Sequence, residues 1–104
     1  FWKNTLDECF EKQKGWANFP IENTPSEALG KNLFVTVLDD KLGFDLVEDE
    51  PYLADMAMFS TDYPHSICLW PDTQDDIARA TVNCAPEAKH KILAGNAVRV
   101  FNLN

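Results

Sequence analysis

The chain has 104 residues, 45% of them apolar, and carries a net charge of −8 from nine Lys and Arg against 17 Asp and Glu. That length allows at most one domain, and that apolar share belongs to a globular chain rather than a disordered one. So acidic a balance argues against a nucleic-acid partner, which needs a basic face, and no apolar run approaches the roughly 20 residues that span a bilayer, which argues against a membrane protein.

Residues 2–16 place Trp2, Leu6, Cys9, Phe10 and Trp16 at near-helical spacing, with charged residues between. This predicts an amphipathic helix with one buried stripe, ended by Gly15 and Phe19-Pro20. Thr24-Pro25-Ser26-Glu27 reads as a helix start: Thr24 can cap, Pro25 suits the first helical position and Glu27 can reach back. Gly30 and Asn32 keep that helix short. Leu33–Leu38 is a run of β-formers with little polar alternation, as in a parallel strand covered on both faces.

Residues 41–49 predict a crossover helix with Leu42, Leu46 and Val47 on one side, stopped by Pro51. A second apolar run, Met56–Phe59, leads into Ser60-Thr61-Asp62. The two strands, at about 33–38 and 56–60, stand far enough apart for one βαβ unit. Helices follow over about 73–101. The first carries Ile77, Ala80, Thr81 and Cys84 on one stripe, with Asp72 or Thr73 as its cap. The second starts at Pro86, buries Ile92 and Leu93, and breaks at Gly95-Asn96 before a final apolar segment. Two parallel strands cannot bury both faces and both edges alone. The pattern therefore predicts an α/β chain that is part of a larger layered fold, or one that completes its sheet with a partner.

Three cysteines, an odd number with no CxxC spacing, argue against a zinc finger and against a disulfide framework, so a reducing, cytoplasmic home is expected. The expected places of Cys9 and Cys84 are core or boundary positions on helices. The chain begins at Phe1 rather than Met, which hints at a processed, truncated or partial polypeptide.

Asp62 is the leading chemical candidate, because chemistry in parallel α/β proteins sits at the C-terminal ends of strands. It has two readings. It can cap the turn before Tyr63-Pro64, or it can serve as a hard oxygen ligand or general base. His65, three residues on, can share its pocket and orient a substrate or transfer a proton. Trp70 is read as a core plug or a pocket wall, and His90, between Lys89 and Lys91, as exposed. The surroundings of Ser60 and Thr61 lack a nucleophile elbow, and the scattered glycines form no phosphate-binding loop.

Three segments, in order, resemble one family. Pro25-Ser26-Glu27 with Asn32–Val37 resembles a "PSEYF…NVYVTF" stretch. Ser60–His65 with Trp70-Pro71 resembles "SDYPHxxxxWP", and Lys91–Phe101 resembles "KILGxNAxRLF". These are stretches of the metal-dependent amidohydrolases, in their decarboxylase-like branch. The resemblance implies a (β/α)8 TIM barrel of which this chain is the C-terminal part, with strands seven and eight at the two apolar runs. It implies that Asp62 is the strand-eight metal ligand or contacts the metal-bound water. His65 and Trp70 would lie on the substrate side. The metal would be divalent, zinc first and manganese as the alternative, and the reaction a decarboxylation or hydrolysis of a small carboxylic acid or lactone-like substrate.

The family's other ligands have no counterpart here: an HxH pair, a strand-five His and a catalytic His, against only His65 and His90 in this chain. Ser66–Leu69 also replaces the more polar loop usual after that His. One carboxylate does not hold a catalytic zinc, so the isolated chain is expected to bind no metal tightly and to be inactive. The alternative reading is a non-catalytic interaction or assembly module, whose open sheet edges favour self-association or pairing with the remainder of a barrel.

Overall fold

A computed structural model describes residues 1–18 and 20–103. Helix α1 runs over Trp2–Ala17, passes through Gly15 without ending, and closes at Asn18 with φ 47°. Asn tolerates that left-handed cap better than most residues do. The predicted stop at Phe19 lies outside the described residues. The expected buried stripe is not buried. Only Phe10 is, while Trp2, Leu6, Cys9 and Trp16 are exposed. The reason is docking on a different arc. α1 meets a single 3-10 turn, Pro25–Ala28, where Asp7 Oδ1 accepts the Ser26 N–H at 2.9 Å, and Lys3 sits over the Tyr52 ring. The predicted capping box is absent too, since the Thr24 side chain caps nothing and Asp7 stands in from α1.

Val35–Val37 form β1 and Ala57–Phe59 form β2, a parallel pair in register Val35 to Ala57, Thr36 to Met58 and Val37 to Phe59. Both strands are shorter than the apolar runs that contain them, because Leu33 is taken by a bridge to Leu29 and Met56 by the preceding helix. Nor is β1 covered on both faces. Val35 and Thr36 are exposed, whereas Ala57 and Met58 of β2 are buried.

Two short helices make the crossover. In α2, Lys41–Asp45, the Asp40 side chain accepts the Gly43 N–H at 2.9 Å and so starts the helix. Phe44 and Val47 enter the core while Leu42 and Leu46 face out, which corrects the expected stripe. Pro51 begins α3, Tyr52–Met56, as well as ending what precedes it.

Helix α4, Thr73–Ala80, stops four residues before the predicted end. Its inward stripe is the expected one, with Ala80 and Thr81 buried and Ile77 and Cys84 half-buried. Helix α5, Pro86–His90, a π-helical turn, Lys91–Gly95, and helix α6, Asn96–Phe101, run on without a break. The predicted interruption at Gly95-Asn96 is absent, and both residues keep helical dihedrals. Asn96 is 2% exposed. Its Nδ2 donates to Ala54 O and Ala57 O, both at 2.7 Å. Arg99, one turn on, donates to Gly30 O at 3.2 Å and Asp55 O at 3.0 Å and lies over the Phe34 ring. Gly30 has φ +72°, and a Cβ there would stand 2.8 Å from Asp55 Cβ, so the close approach requires glycine.

The contiguous core cluster is small: Phe44, Val47, Ala54, Ala57, Ala80 and Ile92, with Leu29, Met56 and Met58 buried outside it. An apolar cavity of about 120 Å³ lies beside it, lined by Val35, Val37, Phe44, Val47 and Ile92. The exposed surface is 7401 Å², against about 5,900 Å² for a compact monomer of this mass. The radius of gyration is 16.1 Å, against about 13 Å for a compact chain of this length. Among the described residues no helix is long and apolar enough to cross a membrane.

Two predictions follow from the packing. Asn96→Ala strips two buried carbonyls of their donor, so urea denaturation is expected to show a loss of about 2–4 kcal/mol. Arg79→Ala, which breaks a pair whose arginine is exposed and whose Asp76 carboxylate is largely covered, should change stability by about 1 kcal/mol or less. Hydrogen bonding from Ser26, through its side chain first and its backbone N–H second, holds the Asp7 carboxyl below its usual 3.8. A lowered folded pKa gives stability that is present above the unfolded value and lost as pH falls through the folded one. Acid titration followed by Trp fluorescence should therefore show α1 loosening below pH 3.8, a component missing from Asp7→Asn.

Candidate functional site

The C-terminal ends of β1 and β2 open on one shallow cavity of about 200 Å³, lined by Thr36, Val37, Leu38, Ser60 and Asp62. Parallel pairing is what brings these residues together, because both strands point the same way and end at the same level. Ser60 N donates to Val37 O at 2.9 Å and extends the ladder one residue past β2. The chain then turns sharply. Asp62 takes φ 55°, its N–H donates to Ser60 Oγ at 3.2 Å, and its carbonyl accepts the His65 N–H at 2.8 Å. The Leu69 N–H returns to Thr61 O at 3.1 Å and closes the loop.

Asp62 and His65 meet directly, with His65 Nδ1 3.2 Å from Asp62 Oδ2. Both side chains are more than half exposed. The pair can hold a proton between carboxylate and imidazole at the cavity mouth, where a small ligand could reach it. Trp70 is 65% exposed and so is not a core plug. Its ring stands edge-on to Tyr63 at 6.0 Å, making an aromatic rim on the loop that carries Asp62. Cys68 is half-buried in that loop, with Sγ 4.0 Å from Trp70 O. His90 is exposed, as expected, and lies on α5.

Four cavity residues lie outside the site expected from sequence: Thr36, Val37, Leu38 and Ser60. A signal existed. Thr36 is the one polar residue of the Leu33–Leu38 run, and with Leu38 it shares a face by the period-two rule. By sequence Tyr63 reads as a turn residue, and its pairing with Trp70 depends on a loop closure that spacing does not encode.

Among the described residues no group of three or more His, Cys, Asp or Glu side chains is placed to hold an ion. A catalytic zinc takes about three protein ligands and an open position. The donor set of this chain, one carboxylate with an adjoining imidazole, does not fit a complete metal centre.

A family model described as amidohydrolase, a TIM-barrel family, matches residues 14–103. The match takes in both strands, the Asp62 loop and the C-terminal helices. No curated protein matches the chain.

The left-handed backbone at Asp62 separates its conformational role from its chemistry. Asp62→Asn keeps a residue that tolerates φ 55° and is expected to leave stability within about 0.5 kcal/mol. Asp62→Val places a β-branched residue there and should lower stability by about 1–2 kcal/mol in the same denaturant titration.

Proposed function

The chain belongs to the amidohydrolase family, and on that premise we propose that it is the C-terminal segment of a metal-dependent barrel enzyme, with β1 and β2 as its seventh and eighth strands. The observation that carries the reading is the placement of Asp62 at the shared C-terminal strand ends, over a cavity and within reach of His65. Catalytic groups of barrel enzymes come from that end of the strands. The surface excess supports it as well, since about 1,500 Å² on one chain is roughly twice what one partner contributes to a standard protein interface.

In this reading Asp62 supplies one carboxylate to a divalent metal site, zinc or manganese, whose other ligands lie outside the chain. A metal of that kind acts as a Lewis acid and lowers the pKa of bound water when present. What this chain's own residues do is narrower. Asp62 accepts a proton at Oδ2, His65 holds that carboxylate and relays the proton at Nδ1, and the Tyr63–Trp70 rim flanks a small carboxylic acid or lactone-like substrate. The enzyme decarboxylates or hydrolyses that substrate, in a cytoplasmic setting suited to three unpaired cysteines. The segment is inactive alone, and its partner is the remainder of the barrel.

Two measurements test this. The purified 104-residue chain, equilibrated with zinc and desalted, is expected to retain well under one equivalent by elemental analysis. Stoichiometric, tightly held zinc in a monomer would refute the incomplete ligand set. In the polypeptide that carries this segment with the remainder of the barrel, Asp62→Asn is expected to lower turnover by about 10²-fold or more and to reduce bound metal. Full activity with full metal content in that variant would remove Asp62 from the site.

A further inference from the structure

The turn after β2 carries Asp62 in a left-handed conformation, φ 55°, which few residues other than glycine hold without support. Its own carboxylate is not what supports it. An Asp side chain caps a turn by accepting the N–H two residues on, and that residue is Pro64, which has none. The other N–H groups of the turn are already taken. Asp62 N–H goes to Ser60 Oγ at 3.2 Å, Tyr63 N–H to Thr61 Oγ1 at 3.4 Å, and His65 N–H to Asp62 O at 2.8 Å. The carboxylate is thereby left to face His65, with Oδ2 3.2 Å from Nδ1.

We infer that Ser60 is a positioning residue of this site: its hydroxyl fixes the Asp62 backbone and so aims the carboxylate at His65 beside the cavity. Two bonds give Ser60 that control. Its N–H donates at 2.9 Å to the carbonyl of Val37, the last residue of β1. Its Oγ accepts the Asp62 N–H. The end of β1 is thus tied to the backbone of Asp62 through one residue, which itself lines the cavity with Thr36 and Leu38.

Thr61 does less, because its bond is longer and holds Tyr63 rather than Asp62. Ser60 needs no nucleophilic role to matter at this site, only a hydroxyl oxygen that accepts. Threonine supplies the same acceptor and alanine does not. Ser60 has this role only where Asp62 is the functional carboxylate proposed above, but the contact itself is measurable without any reaction. Loss of one such hydrogen bond shifts a local two-state equilibrium by about two- to tenfold.

The test is NMR spectroscopy of the 104-residue chain with Ser60→Ala, Ser60→Thr and, as a control in the same loop, Ser66→Ala. In Ser60→Ala the exchange of Asp62 N–H with solvent should quicken about two- to tenfold. The three-bond HN–Hα coupling of Asp62 should move toward the value of an extended residue, and the Overhauser contact between Asp62 Hβ and the His65 ring should weaken. Ser60→Thr should restore all three, and Ser66→Ala should change none. The unaltered chain decides the matter even if Ser60→Ala misfolds, because its Asp62 N–H is expected to exchange more slowly than that of the exposed Ser66. Equal exchange there overturns the proposal. So do unchanged signals in a folded Ser60→Ala, or a Ser60→Thr that restores nothing. Full activity and metal content in Asp62→Asn would remove the chemistry and leave this contact standing, so the two failures are told apart.

Discussion

The Asn96 side-chain amide is the contact on which the arrangement of this chain rests. It lies in the middle of the C-terminal helical run and is buried, yet it is polar, so it must be fully satisfied. It satisfies itself by donating to two carbonyls that bracket the junction of α3 and β2, Ala54 O and Ala57 O. A helix ending directly in a strand leaves carbonyls without intrahelical partners, and Asn96 supplies the donors they lack. Arg99 repeats the device one turn later on Asp55 O and Gly30 O, and so also ties in the loop that leads toward β1. Through four carbonyls the last helix sets where both strands begin, and hence where their C-terminal ends deliver Thr36, Leu38, Ser60 and Asp62.

This clamp matters because apolar packing alone is thin. The contiguous core cluster among the described residues is six residues, three of them alanine, and alanine contributes little buried area. The strands pair over only three residues each, with open outer edges. An exposed surface well above that of a compact chain states the same shortfall. A two-stranded parallel sheet is not a stable end point. The matched family is a barrel family, and on the proposed reading the two strands would find neighbours on both sides.

Much of the fold was legible beforehand, and the misses have a common cause. The amphipathic period correctly located α1, the inward stripe of α4 and the burial of Ile92, and the apolar runs located both strands. The errors arose where burial was inferred from apolarity. Trp2, Leu6, Trp16 and Leu42 have the right spacing for a buried stripe, yet all four are exposed. Gly95-Asn96 reads as a break by local propensity, but the π turn and the two buried carbonyls hold the helix continuous there. Tertiary satisfaction outweighed a local preference of about 1 kcal/mol.

The Asp62 loop divides in the same way. Sequence by itself determined that an acid, a His and a Trp follow the second strand in a pattern that resembles amidohydrolases, because residue identity and order are enough to carry a motif. Sequence likewise determined that the chain holds only two histidines, fewer than the set that the resemblance implies. Only the tertiary structure decided that His65 reaches Asp62 at 3.2 Å, that Thr36 and Ser60 share its cavity, and that Trp70 rims the loop instead of plugging the core. Those outcomes depend on strand register, on the left-handed turn at Asp62 and on loop closure through Leu69. Each couples residues across the chain, and no local periodicity encodes such a coupling.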